Sequence, residues 1–252
     1  MRESVKPPLK SALVVGCSRG LGLETCRFLL ASGWSVSGIA RSSPTDFSVG
    51  DIQFYQADLT SRLQLTQTLS DIVANSGVPD AVVFCQRYRG DSVEMNAEMN
   101  CAVNVTCECI QWLSHLPEFG PAAIVMVSSV NAEFISRKVA LGYHLAKAAI
   151  NQIVRYYAVS LGSRGIRVNG VSPGTFTKKE TVKSFQEKTS LVRLFQKTVP
   201  LGRVCTALEV ASVIEFLVSD RSSFVTGQNL SVDGGASLLY QEALAREISG
   251  DI

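Results

Sequence analysis

The chain has 252 residues, 46% of them hydrophobic and 18% charged, with a formal net charge of +2. That length buries a full core as one large α/β domain or two small ones, and the balance is globular rather than disordered. No cluster of basic residues marks a nucleic-acid face, no apolar run approaches the roughly 20 residues that span a bilayer, and the N-terminus lacks the apolar stretch of a signal peptide. The seven cysteines have no paired metal-ligand spacing, and neither His115 nor His144 has a carboxylate or thiol at such spacing. The expectation is a soluble cytoplasmic protein with reduced thiols and no metal site, bound to neither nucleic acid nor membrane.

Residues 1–10 form a polar, proline-containing lead-in. Ser11–Val15 is a short apolar run, as in a strand buried on both faces, and it meets a glycine turn at Gly16. Leu21–Ser32 has helical spacing and stops at Gly33. Strands are expected at 34–40, 52–57 and 80–85, with a turn-rich loop over 41–50 and a helix from Thr60 or Ser61 to about Asn75. Residues 92–115 predict a long helix, 122–128 a fifth strand, 141–160 a helix, and 166–171 a sixth strand. Pro173 to Pro200 is polar and lysine-rich, with helical patches and no clear strand. A helix over 206–219 and a strand over 228–232 precede a short, partly helical tail. Alternating strands and helices, with no linker or repeat, predict one α/β domain. Its sheet is doubly wound and parallel, of about seven strands, with helices on both faces and right-handed crossovers.

Gly16-Cys-Ser-Arg-Gly20-Leu-Gly22 falls between the first strand and the first helix. Glycines there let the backbone turn tightly and approach a pyrophosphate at a helix N-terminus, where free N–H groups and the dipole attract anions. Downstream, Tyr143 and Lys147 lie four apart, on one face of a helix. A phenol, with an ordinary pKa of about 10, is a poor acid or base at neutral pH, and an ammonium one turn away favours its phenolate. The pair suits proton transfer in a carbonyl/alcohol interconversion. Ser129, at the end of the fifth strand, can hydrogen-bond the same substrate oxygen.

An NAD-selective site of this architecture places an acidic side chain about 20 residues past the glycine turn. No Asp or Glu occurs between Trp34 and Thr45; Arg41 and Ser42 stand there instead, and Arg19 projects from the turn. Guanidinium groups match a ribose 2′-phosphate, so NADP(H) is expected over NAD(H).

The glycine turn, Asp58-Leu59, Asn104, Ser129, Tyr143, Lys147 and Ser172-Pro173-Gly174-Thr175 together resemble the short-chain dehydrogenase/reductase family, with motifs in the family order over roughly residues 10–237. Pro200-Leu-Gly-Arg203, Phe224-Val-Thr-Gly-Gln228 and Val232-Asp-Gly-Gly235 are similar to its 3-oxoacyl-carrier-protein reductase branch. The resemblance implies a Rossmann-type domain over 11–252, with the dinucleotide in its N-terminal half and substrate in its C-terminal half. It implies hydride transfer between a nicotinamide and a small-molecule carbonyl. Tyr143 would be the proton donor, Lys147 its activator and ribose ligand, Ser129 the holder of the substrate oxygen, and Asn104 the keeper of a water linking Lys147 to solvent. For the cofactor it implies Gly16, Ser18, Arg19, Gly20, Leu21 and Gly22 at the turn, and Arg41, Ser42, Asp58 and Leu59 near the adenosine. Cys85 and Gln86 follow, then Tyr143, Lys147, Pro173, Gly174, Thr175 and Thr177. It further implies a homodimer or homotetramer with the Tyr143 helix near an interface.

Two departures stand out. Cys85-Gln-Arg-Tyr-Arg-Gly90 replaces the small Asn-x-Ala-Gly segment, which places Gln86 and Arg87 close to the adenosine half of the cofactor. The Ser129–Tyr143 interval is one residue long for the family, leaving Ser128 as a stand-in. Phe134 and Ile135 are candidate pocket walls, and Phe176 to Phe195 a mobile cover. A non-catalytic NADP-binding regulator, or an alcohol dehydrogenase or epimerase using the same site, are the alternative functions.

Overall fold

The computed structural model describes residues 10–44, 51–88, 90, 95–178 and 181–250. Its central sheet has seven parallel strands in the order β3-β2-β1-β4-β5-β6-β9. These are β1 (Ser11–Val15), β2 (Ser35–Ala40), β3 (Ile52–Gln56), β4 (Ala81–Phe84), β5 (Ala122–Val127), β6 (Ile166–Pro173) and β9 (Asn229–Val232). Successive side chains of the central strands go to opposite faces. Leu13, Val15, Val82, Phe84, Ile124 and Met126 pack on one face against α2 (Arg62–Ser76), α4 (Val105–Ser114) and α5 (Leu141–Leu161). Ala12, Val14, Ala81, Val83, Ala123 and Val125 pack on the other against α1 (Gly20–Ala31) and α8 (Ala207–Val218). Burial on both faces is why these strands read as continuous apolar runs.

The long helix expected over 92–115 is divided. α3 (Met95–Met99) runs into a π-helical turn, Asn100–Asn104, and only then into α4; residues 91–94 lie outside the described set. Gly142, at the start of α5, allows α3 to approach: a Cβ there would stand 2.8 Å from the Met95 Cα. In the polar stretch after β6 the structure has a strand where none was expected. β7 (Phe176–Thr177) pairs in parallel with β8 (Cys205–Thr206), flanking α6 (Val182–Gln186) and α7 (Thr189–Thr198). Two residues carry too little periodicity to announce a strand. The tail holds α9 (Gln241–Ser249).

Two arginines close the helix layers. Arg164 donates to the carbonyls of Ser114 (2.5 Å), the last residue of α4, and of Leu116 (2.9 Å) and Phe119 (2.7 Å) just beyond it. Arg167, in β6, donates to the carbonyls of Leu217 (2.7 Å), Val218 (3.3 Å) and Ser219 (3.1 Å) and to the Ser222 hydroxyl (2.7 Å), at the end of α8. Helix C-termini leave carbonyls without intrahelical partners, and a guanidinium satisfies several at once. At its other end α8 carries a capping box between Thr206 and Glu209. Among the described residues no helix is long and apolar enough to cross a membrane.

Candidate active site

A groove of about 790 Å³ runs over the C-terminal ends of the strands, the place where open parallel sheets take ligands. Gly16 forms its floor. Its φ of +87° favours glycine, and a Cβ there would lie 2.6 Å from the Gln86 backbone nitrogen. A Cβ on Gly22 would lie 2.1 Å from the Gly16 carbonyl oxygen. Close approach of backbone to backbone therefore demands both glycines. α1 opens at this turn with no side-chain cap from its N-cap residue Arg19. Ser18, Arg19 and Leu21 line the same end.

Arg41, Ser42, Asp58 and Leu59 form the wall beside β2 and β3. The Thr60 hydroxyl, 2.7 Å from Asp58, holds that carboxyl below its ordinary range, and Arg41 adds to the effect. Lys178 completes a basic rim that the sequence did not signal. Its side chain crosses the glycine turn, so a Cβ on Gly20 would stand 3.2 Å from the Lys178 Cδ. Gly20 itself lies under that lysine and outside the groove wall.

At the other end Ser128, Ser129, Tyr143 and Lys147 share the wall with Pro173, Gly174 and Thr175. The Lys147 side chain is buried and donates to the Val127 carbonyl at 2.7 Å, with its Nζ 5.6 Å from the Tyr143 ring centroid. Burial pushes its pKa down to about 8, and Arg87 adds to that shift. The Ser128 hydroxyl donates to the Lys147 carbonyl at 3.1 Å, joining β5 to α5. Ser129 accepts from the Asn131 N–H at 3.2 Å and keeps its own proton available to a ligand. The two serines that the spacing left open thus have different partners, and both line the groove. His144 faces the Asn131 carbonyl at 2.8 Å and the Ser136 carbonyl at 3.4 Å, a packing role that ties α5 to the loop that precedes it.

Other expectations change. Asn104 is exposed and outside the wall; its amide donates to the Asn100 side-chain oxygen at 3.3 Å, and it is Asn100 that lines the groove. The π-helical turn is the reason, because its wider winding rotates side chains away from the positions an α-helix would give them. Thr177 points its hydroxyl at the Cys205 carbonyl (3.4 Å) and leaves the wall. Phe134 and Ile135 are exposed, and Ser136 and Val139 line the groove instead. Phe176 lines it, but no described residue of α6 or α7 does. Cys85 and Gln86 back the glycine turn as expected of that segment. The Cys85 thiol is pushed up to about 12 by burial and is neutral. Gln86 donates to the Thr106 hydroxyl at 2.8 Å, while its buried Oε1 has no partner among the described residues. Arg87 departs from the expected place beside the adenosine. Its guanidinium carbon stands 4.6 Å from the Tyr143 ring centroid. The glycine cradle, the uncapped start of α1 and the basic rim fit a dinucleotide bearing phosphates.

Residues 16–237 match the family model described as Enoyl-(Acyl carrier protein) reductase. The chain is 30% identical to the 3-oxoacyl-(acyl-carrier-protein) reductase of Chlamydia trachomatis, over 90% of this chain and 96% of that one. It is 27% identical to glucose 1-dehydrogenase of Gluconobacter oxydans, over 91% of this chain and 92% of that one. Among solved structures, a short chain dehydrogenase family protein of Francisella tularensis superposes with a TM-score of 0.76 at 27% identity, covering 92% of this chain and all 100% of that one. With the glycine turn, the seven-stranded sheet and the Tyr143–Lys147 pair already in place, the chain belongs to the short-chain dehydrogenase/reductase family, oxidoreductases that work with nicotinamide cofactors.

Proposed function

We propose that the protein is an NADPH-dependent carbonyl reductase with Tyr143 as proton donor. The observation that carries the reading is the buried ammonium of Lys147 beside the Tyr143 ring, in one wall with Ser129. When bound, the reduced nicotinamide supplies the hydride. Gly16, Gly22 and the open first turn of α1 would hold the pyrophosphate, and Arg19, Arg41 and Ser42 the ribose 2′-phosphate. Pro173, Gly174 and Thr175 would border the nicotinamide. Ser129 donates to the substrate oxygen and orients the carbonyl. Tyr143 gives that oxygen its proton, and Lys147 stabilises the phenolate left behind. Asn100, on the groove side of the π-helical turn, takes the water-holding part first expected of Asn104. The functional unit is a homo-oligomer formed through the exposed face of α5.

The test is NADPH absorbance with a panel of ketones and keto acids. Consumption at least tenfold more efficient with NADPH than with NADH is expected. Tyr143→Phe keeps the ring and should lower turnover by on the order of 10²-fold or more while the protein still binds NADP. Near-normal turnover in that variant, or a preference for NADH, would overturn the corresponding part of the reading. No consumption with any ketone would favour the regulator.

A further inference from the structure

The positive charge of the groove is unevenly explained. Arg19, Arg41 and Lys178 stand at the glycine turn and the β2–β3 wall, where a dinucleotide brings its phosphates. Arg87 stands at the opposite end. Its guanidinium lies over the face of Tyr143, 4.6 Å from the ring centroid, and close enough to Lys147 to help lower that lysine's affinity for its proton. Two cations therefore crowd one phenol. The carboxylate that offsets them, Glu98 of α3, is half-buried, and burial raises its own pKa against the pull of Arg87 and Lys147. Arg87 is an exposed residue in the groove wall, with its guanidinium carbon over an aromatic face. A guanidinium is a planar fork of N–H donors, and such a fork takes a carboxylate with paired bonds.

Resting on the reductase reading above, we infer that Arg87 is a specificity residue and that the substrate is an anionic carbonyl compound, a 2-oxo or 3-oxo acid whose carboxylate pairs with Arg87. The guanidinium lies against the same ring whose hydroxyl gives the proton, so carboxylate and reacting carbonyl must be adjacent or one carbon apart. The carbonyl carbon gains a hydride from the reduced nicotinamide and its oxygen gains the Tyr143 proton, so the product is the hydroxy acid. The carboxylate neither gains nor loses atoms. Its charge adds to the offset that the one half-buried Glu98 gives to Arg87 and Lys147, and a neutral ketone would add nothing.

The test compares matched probes: 2-oxobutanoate and acetoacetate, each against its methyl ester, with the parent protein and with Arg87→Gln and Arg87→Lys. The parent is expected to favour at least one acid over its ester by tenfold or more in kcat/KM. Arg87→Gln should lower that acid-to-ester ratio by about 10–100-fold, mainly through KM, and Arg87→Lys should restore part of it. Taking a ratio removes any general loss of activity from the variant. Calorimetry of the same acids with the NADP-loaded protein gives a second readout that needs no turnover. Saturable binding lost in Arg87→Gln supports the assignment even if no carbonyl is reduced, which would sink the reductase reading alone. Efficient reduction of neutral ketones with no preference for an acid overturns the inference and leaves the reductase standing. Absence of acid binding overturns it as well. A fall in NADP affinity in Arg87→Gln with an unchanged acid-to-ester ratio overturns it too, by assigning the guanidinium to the cofactor.

Discussion

Lys147 is the residue whose position costs the fold most visibly. A lysine ammonium titrates at about 10.4 in an unfolded chain. Burial holds it near 8 in the folded protein. Between those values the unfolded chain binds the extra proton, so this group makes stability rise with pH from about 8 to about 10 and contributes no slope below. Lys147→Met deletes the charge and keeps the stem. Near pH 7 the variant should unfold at higher urea than the parent, by roughly 1–3 kcal/mol after the lost bond to Val127 is subtracted. The gap should close by pH 10, because the parent recovers there. Measuring both proteins at the two pH values cancels the thiols and phenols common to them. A gap independent of pH would show that the buried ammonium is not its source. The same lysine was legible beforehand through its spacing from Tyr143. Arg87 was visible only as an oddity after β4, since no local pattern says which wall a turning segment will reach. Asn100 escaped for the opposite reason: two asparagines one turn apart are equivalent on an α-helical wheel, and only the π-helical turn distinguishes them.

Among elements, α8 shows how unequally the two ends of a helix can be held. Its start has the Thr206–Glu209 capping box, with Arg203 on the same glutamate at 2.5 Å. Its end depends on the Arg167 guanidinium reaching across from β6. Thr206→Ala removes one cap and should cost about 1 kcal/mol. Arg167→Met strips several carbonyls of a charged donor in a partly enclosed place and should cost roughly 2–4 kcal/mol. Chemical denaturation of both variants tests the order; a larger loss at Thr206 would contradict it. The capping box could be read from the sequence, because its parts are three residues apart. The arginine clamp could not, because its partners lie 50 to 55 residues away. Strands β1, β4 and β5 were readable from their unbroken apolar runs, whereas the two-residue strands β7 and β8 were not.

At the scale of the whole molecule, strand–helix alternation was sufficient for the parallel, doubly wound architecture, since few connections other than right-handed crossovers satisfy it. Assembly is less legible. On α5, Tyr156 and Val159 are 65% and 85% exposed, a pair of apolar side chains with nothing covering them in the single chain. If the proposed homo-oligomer forms through this face, the parent should scatter as a dimer or tetramer and Val159→Glu, which places a charge there, should lower the mass toward a monomer; a monomeric parent would overturn the proposal. An unchanged mass would move the interface elsewhere. The two arginine clamps also have a consequence for the order in which the chain comes into being. During synthesis, the strands from β1 to β5 and α4 are made before residue 164 exists. Until then α4 waits for the guanidinium that will close its end. Within four residues of chain, 164–167, both clamps arrive, and with them the strand that stands between the two helix layers. In chain order the two clamps are therefore unlike: Arg164 comes after the carbonyls it closes, and Arg167 comes about 50 residues before its own.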